Sequence, residues 1–293
     1  MRVLIVGCGY VGLPLGRELV RQGHEVFGLR RSAAADAELQ SAGLKPIHAD
    51  ITKPETLAAL PRAFDWVVNC AASGGGGVGD YRQIYLEGTR HLIEWLGGSA
   101  LRKYVYTSST SVYGQDDGSW VTESDATEPP TETGRVLVET EALLRSAVKE
   151  KNFPAAILRV AGIYGPERGF WFKQLLSGEA RIEGSGERFL NMIHRDDVVG
   201  GIIAALESGK PGEVYNSADD EPVRQFDFFA WLAHRLGRAM PPSLPPEPNV
   251  LRKRGVTNKR VSNRRLKDEL GYQFSYPTFR EGYAVEIERL LER

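Results

Sequence analysis

The residues best placed to do chemistry come first in the chain. In VLIVGCGYVG (3–12) an apolar run leads straight into Gly7-x-Gly9-x-x-Gly12 and then into a segment of helical period. A strand, a glycine turn and a helix start, in that order, suit the pyrophosphate of a dinucleotide. One glycine makes the tight turn, one lets backbone approach the phosphates, and one lets helix pack on strand, while unpaired N–H groups at the helix start face the anion. The next apolar run, HEVFGL, ends in Arg30, Arg31 and Ser32, where an NAD site would place a carboxylate on the ribose 2′-hydroxyl. Two guanidiniums and a hydroxyl instead suit a 2′-phosphate, which guanidinium binds in a two-pronged fashion. The cofactor expected is therefore NADP in preference to NAD, held by Gly7, Gly9, Tyr10, Val11 and Gly12 of the loop and by Arg30, Arg31 and Ser32.

The elements that must position these groups follow a strand, helix, strand rhythm. The runs RVLIVG, HEVFGL, LKPIHAD, WVVNCAA (66–72), KYVYTSS (103–109) and AAILRVAGIYG (155–165) alternate with helical segments near 12–22, 33–41, 81–96 and 131–144. This pattern predicts an α/β chain with a Rossmann-type, doubly wound parallel sheet. After about residue 166 the pattern is mixed, with GEVYNSA reading as a strand and FDFFAWLAHRLG as a helix. The division expected is an NADP-binding domain over 1–165 and a smaller C-terminal substrate lobe over most of 166–293, some of whose segments return to the first. MPPSLPPEPN (240–249) holds five prolines and reads as a surface loop of polyproline character. Gly74 to Gly77 read as a flexible loop at a strand end.

Composition narrows the function. The 293 residues carry 37 basic and 38 acidic side chains, a net charge of −1, so no global field draws the chain to nucleic acid or an anionic membrane. Two cysteines, Cys8 and Cys70, make no disulfide framework and read as small buried side chains in a reducing compartment. No group of His, Cys and acids has metal spacing, and Asp196 and Asp197 are adjacent, so on a helix they diverge. With no signal-peptide pattern at MRVLIVG and no apolar run long enough to span a bilayer, the expectation is a soluble, cytoplasmic protein. Its partner is then a small-molecule substrate, not nucleic acid or a membrane.

Seven segments in order carry a resemblance: HADITKPETL, VVNCAA, YTSSTSVYG (106–114), LRVAGIYGPERG (158–169), MIHRDDVV (192–199), GEVYNSAD (212–219) and LGYQFSYPTFREG (270–282). Together they resemble the extended short-chain dehydrogenase/reductase family, the NAD-dependent epimerase/dehydratase group that includes nucleotide-sugar enzymes. The resemblance implies that Asp50, followed by Ile51, contacts the adenine end and that Cys70, Ala71 and Ala72 flank the cofactor. It implies that Ser109 hydrogen-bonds the reacting oxygen, although serine also caps loops readily. Arg188, Asn191 and His194 fall where relatives build the substrate pocket, and their basic and amide character suits an anionic, nucleotide-linked ligand; His194 reads equally well as a buried structural histidine. Relatives also form homodimers through a four-helix bundle of the helices matching 81–96 and 133–149. Leu92, Trp95, Leu143 and Leu144 suit either that bundle or packing on the sheet.

The chain departs from this family where its Tyr-x-x-x-Lys dyad belongs, in the amphipathic TETGRVLVETEALL (131–144). There a phenol passes a proton, and a lysine one helical turn away lowers its pKa. Aligning the trailing VETEALL sets Thr133 at the tyrosine and Leu137 at the lysine, and neither can substitute. Val6 stands at the first slot of the usual Gly-x-x-Gly-x-x-Gly, and Tyr85 stands where an asparagine is expected. The reading is an atypical branch that keeps the nucleotide site without the dyad. Tyr164, Tyr106, Tyr113, Glu132 and Glu139 are the substitutes considered, Tyr164 only if it faces the nicotinamide, because tyrosine more often fills cores. Two functions follow: an epimerase, dehydratase or reductase-like enzyme with a rearranged acid/base set, or a non-catalytic NADP-dependent sensor or scaffold. An open polar cleft beside the nicotinamide favours the first, and apolar filling favours the second.

Overall fold

Seven of the apolar runs align side by side. In a computed structural model that describes residues 1–75, 77–245 and 257–292, they form β1 (Arg2–Val6), β2 (Glu25–Arg30), β3 (Lys45–His48), β4 (Trp66–Asn69), β5 (Lys103–Ser109), β6 (Ala155–Val160) and β7 (Val214–Ser217). Their order is β7-β6-β5-β4-β1-β2-β3, with every neighbouring pair parallel. Val3, Leu4, Ile5 and Val6 are all buried because helices cover both faces, which is why β1 reads as an unbroken apolar run. The winding reverses between β1 and β4, so a crevice opens there at the carboxyl ends of the strands.

The helices that frame the crevice are α1 (Gly12–Arg21), α2 (Gly88–Leu96), α3 (Glu132–Lys151), α4 (Arg195–Ser208) and α5 (Phe279–Leu291). The stretch 81–96, expected as one helix, begins as an α-helical turn at Val78–Tyr81, passes through a π-helical segment at Arg82–Glu87 and only then becomes α2. Such wide turns commonly occur at functional sites. α3 starts at Thr131, whose Oγ1 accepts the Gly134 N–H at 3.2 Å, and ends at Asn152 in the left-handed conformation, with Lys149 and Lys151 in its last turn. Leu92, Trp95 and Leu144 are buried in one cluster with Leu4, Val67 and Tyr104, and Leu143 packs against it. These residues face the sheet. On the solvent side, Arg82 of the π-helical segment and Glu139 of α3 form an ion pair at 2.7 Å.

AAILRVAGIYG, expected as one strand, divides. β6 stays in the main sheet, while Gly162–Tyr164 leaves it to pair with Met192–His194. A second core then gathers Tyr164, Phe172, Phe228, Phe229, Phe279 and Tyr283. β7 and α4 come from beyond residue 166 yet pack with the main sheet. In the proline-rich stretch, Ser243–Leu244 pairs with Ile182–Glu183. Residues 246–249 of that stretch, like Gly76 of the glycine run, lie outside the described residues.

Candidate cofactor and active-site cleft

The three loop glycines do three different things. Gly7 has φ +88°, and a methyl on it would lie 2.6 Å from the backbone N and Cα of Ala71, so the turn is pressed against the end of β4. A methyl on Gly12 would lie 2.5 Å from the Gly7 carbonyl oxygen. Gly9 is the contrast: among the described residues nothing lies within 4 Å of where its methyl would be. Its N–H donates to the Gly7 carbonyl at 2.8 Å and its own carbonyl accepts the Leu13 N–H at 2.9 Å, so the helix begins directly behind this open space. Among the described residues no side chain caps α1 at Val11. An uncapped helix start facing room at backbone level fits a diphosphate.

From that loop a cleft of about 370 Å³ runs along the strand ends. At one end it meets Arg30, Arg31 and Asp50 to Thr52, and in the middle Cys70, Ala71 and Ala72. Arg30 ends β2 with Nη2 3.7 Å from Glu38 Oε2, and its Nε is buried without a hydrogen-bond partner among the described residues. Arg31 is exposed, and Ser32 is exposed and does not line the cleft. Asp50 accepts the Thr52 N–H at 3.0 Å and the Thr52 hydroxyl at 2.8 Å. Burial pushes its carboxyl up, but these bonds and the nearby Arg31 and Lys53 charges outweigh it, and the group stays below the usual carboxylate range. Burial raises the Cys8 thiol to about 12 and the Cys70 thiol as well, with the Cys70 thiol donating to the Val6 and Gly7 carbonyls. Both are held as neutral thiols, which are poor nucleophiles.

At its other end the cleft is lined by Thr107, Ser108 and Ser109 of β5, Leu137 of α3, and Tyr81 and Tyr85 from the turns before α2. Ser109 lines the cleft, and its Oγ accepts the Ser111 N–H at 3.2 Å to cap a short turn. Leu137 forms part of the wall, whereas Thr133 is buried in the first turn of α3 and does not line the cleft. The Tyr81 and Tyr85 rings lie 4.5 Å apart.

Other sequence candidates lie elsewhere. Tyr164 does not line the cleft: its ring stacks on Tyr283 at 4.3 Å and 13°, and its hydroxyl donates to the Thr278 carbonyl at 3.4 Å. It turned away because its strand left the main sheet for the second core. Tyr113 is held between Arg159 Nη1 and Asn216 Oδ1, each at 2.8 Å, and Tyr106 is enclosed in the sheet core. Glu139 is paired with Arg82 at the surface, and Glu132 is exposed. Arg188, Asn191 and His194 do not line the cleft either. Asn191 donates to the Lys259 carbonyl at 2.9 Å and accepts the Val261 N–H at 2.7 Å, so its amide holds a neighbouring segment. His194 is fully buried and its Nδ1 caps α4 by accepting the Asp196 N–H at 3.2 Å. Arg188 lies 3.6 Å from Glu183 and 5.6 Å from the Trp171 ring.

Sequence reasoning missed a buried network beside the cleft. Ser108 donates to Glu141 Oε1 at 2.7 Å, and Arg159 donates to Glu141 through Nη2 at 2.7 Å and Nε at 3.1 Å. An arginine inside the apolar run AAILRVAG was the signal, because a charge in a fully buried strand requires a partner. Among the described residues no group of His, Cys, Asp and Glu could hold a metal, and no helix is long and apolar enough to cross a membrane.

A doubly wound parallel sheet with a glycine-turn cleft at its switch point defines a Rossmann-type dinucleotide-binding fold. The chain belongs to the NAD dependent epimerase/dehydratase family, whose model matches residues 3–218. It is similar to Protein YeeZ of Escherichia coli strain K12, 31% identical over 94% of this chain and 96% of that one. It is also similar to a 3-diazoavenalumate denitrifying reductase of a Streptomyces species, 28% identical over 98% of this chain and all of the other. Among solved structures, a UDP-glucuronic acid 4-epimerase from Bacillus cereus in complex with UDP-glucuronic acid and NAD shares the fold. Its TM-score is 0.84 at 24% identity, covering 100% of this chain and 99% of that one.

Proposed function

We propose that the protein is an NADP-binding enzyme of epimerase, dehydratase or reductase type that acts on a small polar substrate with a non-standard acid/base set. The continuity of the cleft carries this reading: one channel joins the open space at Gly9 to the hydroxyl-bearing end of β5. When bound, the nicotinamide supplies reversible hydride exchange. The chain's own residues do the rest. The glycine loop holds the diphosphate, Arg30 and Arg31 hold the 2′-phosphate, and Ser109 bonds the reacting oxygen. Tyr81 and Tyr85 offer phenols at that end of the cleft to move the proton that the dyad would otherwise handle. Residues 1–165 bind the cofactor in this reading and the later lobe binds the substrate, for which a nucleotide sugar is the type to test. A second reading, a non-catalytic NADP sensor, draws on Leu137, Val160 and Ile163, which make part of the wall apolar.

Calorimetric titration of cofactor-stripped protein with NADPH and NADH tests this. NADPH should bind more tightly, and Arg31→Ala should narrow the difference by about tenfold, as loss of a charge-assisted bond does. Equal affinities for the two would overturn the NADP assignment, and binding of neither would overturn the cofactor site. Loss of nicotinamide absorbance on adding small carbonyl compounds would support a reductase. Conversion of UDP- or dTDP-sugars in the presence of NADP⁺, read by product chromatography because these reactions return the hydride and leave no net absorbance change, would support an epimerase or dehydratase. Silence across that panel with tight NADPH binding would support the sensor.

A further inference from the structure

The chain that leaves β6 brings a positive charge back over the glycine loop. Gly165 and Arg168 exchange two backbone bonds, Gly165 N–H to the Arg168 carbonyl at 3.0 Å and Arg168 N–H to the Gly165 carbonyl at 2.9 Å. Inside this tight turn Glu167 adopts φ +60°, the left-handed region that few side-chain-bearing residues occupy. Gly169 follows at φ +151°. Backbone held in such regions persists only where surrounding structure imposes it, and such residues cluster at ligand clamps and active sites.

The turn delivers Arg168 to the cleft, which it lines together with Gly7, Gly9 and Tyr10. Its guanidinium carbon lies 4.9 Å from the centroid of the Tyr10 ring. That ring orients the cation without cancelling its charge, and among the described residues no carboxylate comes within ion-pair distance of Arg168. Arg195 makes the contrast. It lies 5.4 Å from the same ring but donates to Asp196 Oδ1 at 2.9 Å, so its charge is already matched.

From this placement we infer that Arg168 is a clamp for the cofactor's diphosphate, closing over the glycine loop from the side opposite the α1 N-terminus, with the Tyr10 ring as its rest. The inference rests on the dinucleotide reading above and adds to it a residue from the far side of the cleft. A guanidinium presents paired N–H donors in the geometry of two phosphate oxygens, and the helix start supplies backbone N–H groups from the other side. The diphosphate would then be held by residues from both ends of the chain's first 170.

Three ligands separate the possibilities: NADPH, ADP, and adenosine 2′-monophosphate, which lacks the diphosphate. Each is titrated into wild type, Arg168→Gln and Arg168→Lys. Arg168→Gln should weaken NADPH and ADP by about tenfold or more and leave adenosine 2′-monophosphate unchanged, with Arg168→Lys recovering part of the loss. The Kd for NADPH should also rise less steeply with salt in Arg168→Gln than in wild type. Because Arg168 is exposed, the variants should melt as wild type does. Unchanged NADPH affinity in Arg168→Gln would overturn the clamp, as would an equal loss for all three ligands. Wild type that binds neither NADPH nor ADP would strike the cofactor reading itself, and the clamp with it.

Discussion

Arg159 and Glu141 meet at 2.7 Å between Nη2 and Oε2, joining β6 to α3 with both side chains withdrawn from water. The pair is extended on one side by Ser108 and on the other by Tyr113 and Asn216, so every member of the chain has a partner. Removing Glu141 leaves the Arg159 guanidinium buried without its carboxylate, whereas removing Arg159 leaves Glu141 with the partly exposed Arg145, 3.6 Å away. Glu141→Leu should cost about 3–5 kcal/mol and Arg159→Leu less, each read as a shift in the urea midpoint. The double substitution should cost less than the sum of the two, and additive losses would show that the residues are not coupled.

Two glycines of one loop should respond in opposite ways to the same methyl group. Gly7→Ala puts a side chain at φ +88° and against backbone that cannot yield, so the melting temperature should fall sharply. Gly9→Ala meets nothing within 4 Å, so folding should be nearly unchanged while NADPH binding weakens as the methyl takes the space meant for the diphosphate. Differential scanning calorimetry and titration on the same two proteins check this. A destabilised Gly9→Ala that still binds NADPH as wild type does would contradict it.

His194 makes a prediction about pH. Burial holds its imidazole neutral down to about 4, against an ordinary value of 6.5, and neighbouring Arg195 and Arg289 add to that while Asp196 opposes it. Unfolded protein therefore binds a proton between these values that folded protein does not. The stability from this group is fully present above about 6.5 and is lost as pH falls towards 4. Glu286, whose Oε1 lies 3.8 Å from Nε2, has its carboxyl raised by burial and contributes in the opposite sense. The comparison with His194→Asn, which keeps a side-chain cap on α4, isolates the histidine. The variant's denaturation free energy should fall less steeply from pH 6.5 to 4, and parallel profiles would refute the assignment.

Tyr164→Phe should leave cofactor binding and any turnover intact. Among the described residues the hydroxyl makes only the long 3.4 Å bond to the Thr278 carbonyl, while the stacked ring is retained, so stability should change by about 1 kcal/mol or less. A large loss of NADPH affinity in this variant would place Tyr164 back in the site.

Much of this arrangement is legible in the sequence itself. Four-residue to six-residue apolar runs separated by helical periods specify parallel strands buried on both faces, and Gly7-x-Gly9-x-x-Gly12 specifies the turn that joins the first of them to α1. These are local signals, written within a single element by backbone sterics and by the spacing of apolar side chains. Arg30 and Arg31 at the end of β2 belong to the same group, whereas Asp50 after β3 and Ser109 at the end of β5 are marked by the family resemblance. Once strands are parallel, their carboxyl ends must come together at the switch point.

What tertiary structure alone decided concerns residues whose fate depends on distant partners. The apolar stripes of α2 and α3 could have met another copy or the sheet, and periodicity is the same either way; the sheet buries Leu92, Trp95 and Leu144. Tyr164 belongs by sequence to the strand that ends beside the cleft, but its segment pairs with Met192–His194 and carries it into another core. Asn191 and His194 have side chains suited to a ligand, yet they are engaged by Val261 and by the start of α4. Glu141 is a polar position in a helix by sequence, and only the packing of β6 sets Arg159 against it; likewise only the fold of the segment after β6 sets Arg168 over Tyr10. Composition and spacing specify which surface an element will bury, whereas the partner for a buried charge or an open donor is set by contacts between segments far apart in the chain.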